Sequence, residues 1–310
     1  MIISKWKLKA VVQKTISFFP QQEKLNYFFQ KHITKAVKLN DEHFGNKIMH
    51  SRDHIAFFNK HGITGAEKQI IELGSGWYPV VPILMYLSKS GQVTSVDIQS
   101  WMTKETQITT IKKFMEWRDK GKLQKYISNI DEERWSNLIE IVEHPDHHTL
   151  DSINKTIGLK LLLQDARSLK LEDSSIDLIC SNNTFEHIFP NVLEGILKEF
   201  LRVIKPEGVM SHFIDMSDHF AHFDHDITIY NFLRYSRNKW KMIDNDIQPQ
   251  NRLRFKDYLR MYKENNIPII ETEHRNGSIN DLRKQNIHAE YQNYSEAELA
   301  ISHCYIISKM

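Results

Sequence analysis

Ile70-Ile71-Glu72-Leu73-Gly74-Ser75-Gly76-Trp77-Tyr78 is the stretch whose reading decides the fold. A short apolar run of this kind reads as a buried strand, and here it ends in an acid followed by a turn with two glycines. Glycine tolerates positive φ and lets a ligand approach the backbone where a Cβ would obstruct it. The apolar segment Val80–Leu87 begins directly after Pro79, a residue suited to a first helical turn. Strand, glycine turn and helix in that order open an α/β unit.

Five further strands are expected at Val93–Ile98, Leu159–Leu163, Ile176–Cys180, Val209–Ile214 and Ile267–Ile270, with Ser302–Ser308 as a closing β-rich run. Helices are expected at Thr103–Trp117, at Val192–Ile204 with apolar residues at helical spacing, and at Asp257–Asn265, continuing from near Leu253. The alternation predicts an α/β, Rossmann-like, seven-stranded and mostly parallel sheet with helices on both faces. Residues 1–66 are predicted to be an N-terminal helical extension. Leu25, Phe28, Phe29 and Ile33 fall at helical spacing, and His54, Ile55, Phe57 and Phe58 precede a stop at Gly62. The main domain is expected over 67–310, with inserted cap segments at about 119–158 and 215–250.

Of the 310 residues, 41% are apolar, enough for a sizeable core. The 41 basic and 39 acidic side chains leave a formal charge of +2, so no strong pull on nucleic acid or an anionic membrane is expected. Cys180 and Cys304 each sit in an apolar run, which suits reduced thiols. The basic, amphipathic start lacks the apolar stretch of a signal peptide, and no uninterrupted apolar run approaches ~18 residues. A cytoplasmic protein with no membrane partner is the expectation. Homo-oligomer formation is left open.

Ligands of open α/β sheets bind outside the carboxyl ends of the strands. Gly74 and Gly76 fall at that end of the first strand. Asp97 ends the second, 21 residues after Gly76, where a carboxylate accepts hydrogen bonds from two ribose hydroxyls. Asp165 follows the third, in Gln164-Asp165-Ala166-Arg167, placed to receive an adenine amino group. Plainer readings stand beside these. The glycines also suit an ordinary turn, both aspartates suit caps, and Glu72 suits a solvated strand end. Trp77 and Tyr78 either stack on a ligand or pack against the flanking helices.

Four runs carry a family resemblance: Ile71–Gly76, Val93-Thr94-Ser95-Val96-Asp97, Gln164–Arg167 and Ile176-Asp177-Leu178-Ile179-Cys180-Ser181-Asn182-Asn183-Thr184-Phe185-Glu186-His187. Together they resemble the successive motifs of class I S-adenosylmethionine-dependent methyltransferases, and Leu201–Gly208 resembles the helix-to-strand connection that follows them. The resemblance implies S-adenosyl-L-methionine as cofactor, with Glu72, Gly74 and Gly76 near its methionyl part. It further implies Asp97 and the adjoining Ile98 at the ribose, Asp165 and Ala166 beside adenine, and the loop Asn182–His187, beginning with Asn182, at the border of cofactor and substrate. Tyr78 stands where the fuller pattern often has a third glycine. A nicotinamide-binding domain would want that glycine at 79, which is proline.

On the acceptor side, Asp215-Met216-Ser217-Asp218-His219-Phe220-Ala221-His222-Phe223-Asp224-His225-Asp226 is the unusual segment. His219 and His222 are three apart, and Asp215 stands four before His219. His219 is the first candidate base, followed by His222 and His187, because imidazole titrates nearest neutrality. Two other readings of the segment are a divalent-metal site and a solvated polar cap. His-x-x-His with dispersed aspartates does not specify a coordination geometry, so no metal site is predicted. Asp215, Tyr230, Arg234, Arg252 and Arg254 are the substrate-pocket candidates. The two late arginines suit a substrate carboxylate or phosphate, or equally a surface ion pair. The expected function is methyl transfer to an O or N atom of a small polar metabolite. An RNA or protein methyltransferase, or a non-catalytic cofactor-binding interaction protein, is the alternative.

Overall fold

The strand that ends in the glycine turn, β1 (Lys68–Leu73), is an interior strand of a seven-stranded sheet of order β3-β2-β1-β4-β5-β7-β6. The other strands are β2 (Gly91–Asp97), β3 (Leu159–Leu163), β4 (Ile176–Asn182), β5 (Ile204–Asp215), β6 (Ile269–Asn276) and β7 (Ile301–Lys309). These come from a computed structural model that describes residues 4–19, 38–63, 65, 67–246 and 248–310. The helical reading of Leu25, Phe28, Phe29 and Ile33 lies outside the described residues. β1 to β5 pair in parallel, whereas β7 runs antiparallel between β5 and β6. The chain winds outward from β1 to β3, then restarts at β4 on the other side of β1. The switch point of the sheet is therefore between β1 and β4.

The period of two along the strands divides the core. Ile70, Val93, Leu178 and Val209 join one buried cluster, while Ile71, Val96, Ile179 and Met210 join the other. Helix α1 (Lys5–Ile16) packs on the 215–250 insertion, and on the first face of the sheet lie α2 (Asp41–His61), α3 (Val80–Leu87), α4 (Lys104–Asp119), α5 (Glu132–Glu143) and α6 (Leu150–Thr156). Phe44, Ile48, Phe57 and Phe58 of α2 are in the same cluster as the strands, and all of α3 is buried. The second face is covered by α7 (Pro190–Val203) and α9 (Phe255–Glu264), through Leu193, Phe200, Tyr258 and Tyr262. Between them in sequence is α8 (Arg237–Ile243), and α10 (Ile279–Arg283) and α11 (Glu296–Ala300) precede β7.

A third cluster belongs to the cap. Trp6 and Ala10 of α1 pack with Phe220, Tyr230, Phe232, Leu233 and Trp240 of the 215–250 insertion. The Trp6 backbone N–H donates to Asp224 Oδ2 at 2.9 Å.

Two elements differ from the sequence reading. β5 begins at Ile204, because Ile204 pairs with Ile176 before the register breaks; Lys205–Gly208 is thus an irregularity within the strand rather than a stop ahead of it. β6 starts at Ile269 and continues through the charged run Glu271–Asn276, most of it exposed. It is an edge strand, where charges on the open side are compatible with the sheet. The 119–158 insertion contains helices α5 and α6, separated by the short turn Pro145–His147. Among the described residues no helix is long and apolar enough to cross a membrane.

Candidate active site

The chemistry gathers at the carboxyl ends of β1, β2, β4 and β5. Gly74 and Gly76 have φ of +84° and +61°, a region that disfavours any residue with a Cβ. At Gly74 a Cβ would also run into the Thr184 side chain, whose hydroxyl donates to the Leu73 carbonyl at 3.2 Å. At Gly76 the space is open, with Lys47 Nζ the nearest atom, 3.8 Å from the would-be Cβ. Glu72 is buried and accepts a 2.6 Å hydrogen bond from Ser95 Oγ. Burial pushes the Glu72 carboxyl up to about 7, with Ser95 and Lys47 pulling the other way. Burial lowers the Lys47 ammonium, and the Glu72 charge opposes that shift.

Asp97 is raised by burial, against backbone N–H groups of Gln99, Gly76, Ile98 and Ser75 that favour its charged form. The glycine turn and the β2 acid are thus one electrostatic unit. Trp77 packs at 4.5 Å between ring centroids on Trp101, and Tyr78 lies half-buried against the first core cluster. Ile98 is exposed and Ala166 buried. Asp165, at the surface, forks onto the Arg167 guanidinium, which holds its carboxyl below the usual range.

Next to the turn stands Asn182 at the end of β4. Its Oδ1 accepts from His54 Nε2 at 3.0 Å, and the other His54 nitrogen meets Ser211 Oγ at 2.7 Å. His54 comes from α2 and is buried; desolvation lowers its pKa to about 4, so it is neutral when it orients the amide. Asn182 Nδ2 is buried with no hydrogen-bond partner among the described residues.

The acceptor side is a knot of imidazoles around Asp215. Asp215 ends β5 and stands directly across from His303 of β7. Its carboxylate lies 3.4 Å from both His219 Nε2 and His303 Nε2. Burial favours the neutral acid there, but the two imidazoles outweigh it and hold Asp215 well below the ordinary carboxylate range. His219 to His222 form one 3-10 turn, capped by Asp218, whose side chain accepts from Phe220 N–H at 2.9 Å. Residues three apart eclipse in such a turn, and the His219 and His222 rings stack at 5.3 Å. Phe220 anchors the turn in the cap core and Ala221 is buried beside it.

His187, from the short turn after β4, meets His219 edge-on at 4.8 Å. Its Nδ1 donates to the Pro249 carbonyl at 2.7 Å. Burial, then the neighbouring His219, lower His187 to about 4, and burial lowers His222 as well. Both are neutral near pH 7.

The structure therefore brings His187, His219, His222 and Asp215 together, as their spacing suggests. The remaining substrate-side candidates stand differently. Arg254 is wholly buried and donates to the carbonyls of Met216 at 2.6 Å, Leu299 at 2.8 Å and Ile301. Arg252 donates to the Phe232 and Tyr235 carbonyls and lies over the Trp240 ring. The Tyr230 hydroxyl is buried on the Ala300 carbonyl at 2.9 Å, while Arg234 is exposed. Sequence reasoning gave no site role to Lys47, His54 or His303, and took in Glu186 only as part of the loop Asn182–His187. His50 and His54 at helical spacing beside Phe57 were a usable signal, since imidazoles on an otherwise apolar helix face need buried partners.

A cleft of about 570 Å³ opens at the opposite, amino end of the sheet, lined by residues including Gln69, Gln92, Lys160 and Lys170. It lies away from the switch point, where α/β sheets bind their ligands.

Residues 138–211 match the family model described as a methyltransferase domain. No curated protein sequence matches the chain. Among solved structures, a protein from Pyrococcus horikoshii is 12% identical with a TM-score of 0.47, covering 91% of this chain and 97% of its own. The 1,6-didemethyltoxoflavin-N1-methyltransferase of Burkholderia thailandensis is 9% identical, with a TM-score of 0.46 and coverage of 100% and 91%. An S-adenosylmethionine-dependent methyltransferase from Methanosarcina mazei is 15% identical, with a TM-score of 0.44 and coverage of 81% and 95%. These scores are all below 0.5, so the assignment rests on the matched segment, on the parallel sheet with its switch point at β1 and β4, and on the glycine turn joined to Asp97. On those grounds the chain has the fold of a class I S-adenosylmethionine-dependent methyltransferase, and its residues 138–211 are similar to a methyltransferase domain.

Proposed function

We propose that the chain transfers a methyl group to an O or N atom of a small polar metabolite. The observation that carries this reading is buried Asp215 flanked by half-buried His219 and His303, with neutral His187 and His222 beside them. S-adenosylmethionine, when bound, supplies an electrophilic methyl on a cationic sulfur.

The chain's own residues fit that molecule. Open space at Gly76 admits the methionyl part, with Lys47 for its carboxylate and Glu72 for its positive end. Asp97 and Ile98 take the ribose side. Asp165 and Ala166 flank the adenine, Asp165 exchanging its Arg167 fork for the base. The orphaned Asn182 Nδ2 offers a donor between the two halves of the pocket. Trp77 and Tyr78 close the turn.

For the acceptor, His219 receives the proton as the new bond forms, oriented by Asp215, with His222 and His187 as further proton acceptors. Alignment and removal of solvent supply much of the barrier lowering in methyl transfer. Arg252, Arg254 and Tyr230 hold carbonyls of the cap and thereby shape the pocket without touching the acceptor. The near balance of charge favours a metabolite over nucleic acid.

Calorimetry with S-adenosylmethionine and its demethylated product tests the cofactor half. A panel of hydroxylated and amino metabolites with labelled methyl donor tests the other. Failure of either cofactor form to bind at millimolar concentration overturns the reading. Labelling of RNA or protein in place of every metabolite overturns the acceptor class.

A further inference from the structure

Two short turns face each other at the carboxyl ends of adjacent strands: Phe185–His187 after β4 and His219–His222 after β5. Glu186, His187 and His219 each present one ligand atom there, all within 4.8 Å of one another. Glu186 is only 4% exposed, yet neither carboxylate oxygen has a hydrogen-bond partner among the described residues. Buried carboxylates are normally paired, hydrogen-bonded or bound to a metal. This one points at two imidazoles.

The imidazoles are arranged as ligands rather than donors. A backbone carbonyl only accepts, so the bond to Pro249 fixes the proton of His187 on Nδ1 and leaves the Nε2 lone pair free. A carbonyl on the far nitrogen is the usual support of a metal-bound histidine. His219 Nε2 is likewise buried with no hydrogen bond among the described residues, and Asp215 places a negative charge 3.4 Å from it. The turns are stitched in place. His219 N–H donates to Gln250 Oε1 at 3.1 Å, and Asn251 donates to the carbonyls of Glu186, Phe185 and Ile188.

We propose that Glu186, His187 and His219 bind a divalent first-row transition metal, of the zinc or manganese class, with an open coordination position toward the acceptor. Two nitrogens and one carboxylate oxygen suit such ions, whereas calcium and magnesium prefer all-oxygen sites. Bonds of ~2.0 to 2.1 Å bring ligand atoms to roughly 3.4 Å apart, a closure reached by side-chain rotation from the separations present. The ion holds an acceptor oxygen in the open position; with His219 engaged on the metal, the proton passes instead to His222, stacked beside it. That role rests on the methyl-transfer reading; metal binding itself does not.

The test uses the full chain, stripped with a chelator and titrated with cobalt(II) chloride, followed by calorimetry and visible absorption. One equivalent is expected to bind with micromolar or tighter affinity. Glu186→Gln and His187→Gln are each expected to weaken it at least tenfold while leaving affinity for the demethylated cofactor unchanged. No saturable binding below millimolar cobalt, or a change of less than tenfold in a folded Glu186→Gln chain, overturns the site. If both variants fail to fold, pulsed electron paramagnetic resonance of the copper(II)-loaded wild-type chain decides: two coordinated imidazoles uphold the site, and fewer overturn it. Cobalt binding without cofactor binding would uphold the site and sink the methyl-transfer reading separately.

Discussion

Ser95 Oγ donates a 2.6 Å hydrogen bond to Glu72, so the acid at the end of β1 is held from the neighbouring strand and not by solvent. That bond only partly offsets the cost of burying the carboxylate, and the Glu72 pKa rises to about 7.

A raised carboxyl pKa means that the folded chain keeps a proton which the unfolded chain, titrating near 4.5, has already released. Ionisation of Glu72 therefore lowers stability as pH rises from about 4.5 to about 7, and the cost persists above that. Its full size is on the order of 3 kcal/mol. Glu72→Gln should gain stability relative to wild type by about 1–3 kcal/mol between pH 5 and pH 8. Urea denaturation at several pH values measures this, and a difference independent of pH would contradict it.

The two glycines of the turn should respond differently to alanine. Gly74→Ala combines a positive φ with a clash on Thr184, and about 2–4 kcal/mol of destabilisation is expected. Gly76→Ala meets only the φ cost, about 1 kcal/mol, since Lys47 Nζ is 3.8 Å away. Thermal denaturation of both variants checks the ranking. Equal losses would mean that Thr184 yields freely.

Asp215→Asn removes the charge shared by His219 and His303 while keeping the Ser217 N–H bond to Oδ1, now 2.8 Å. Turnover should fall about 10²–10⁴-fold, the range ascribed to a positioned acid–base group. Affinity for the demethylated cofactor should not move. Steady-state kinetics beside calorimetry separates these effects, and loss of cofactor affinity alone would place Asp215 elsewhere in the mechanism.

Arg254 and Arg252 differ in how completely the fold depends on them. Arg254→Met would strip the partners from three buried carbonyls, at about 3–5 kcal/mol. Arg252→Met loses two carbonyl bonds and the Trp240 contact, about 1–3 kcal/mol. Urea midpoints give the comparison. An Arg254→Met chain of native stability but with weakened substrate binding would return that arginine to the acceptor pocket.

What the sequence made legible was local. The glycine turn, Asp97 at the end of β2, and the start of α4 near Thr103 each depend on a few neighbouring residues. The stacking of His219 on His222 also follows from a spacing of three. Less legible was whatever depends on distant pairing. The antiparallel insertion of β7 between β5 and β6 brings His303 across from Asp215, and no spacing in the chain announces it. Arg252 and Arg254 look the same in sequence whether a guanidinium meets an acid or a carbonyl. Glu186 lay inside a quoted motif, but its significance comes from burial without a partner, a property only the folded chain has.

Helix α2 has a consequence for how this chain tolerates shortening. It precedes β1, yet it delivers Lys47 to the glycine turn and His54 to Asn182, and the Tyr305 hydroxyl of the last strand donates to its Asp53 at 2.9 Å. A cut ahead of β1 would keep every strand and every sequence motif while removing one wall of the pocket. The smallest unit that still recognises its ligand is therefore larger than the smallest unit that contains the sheet.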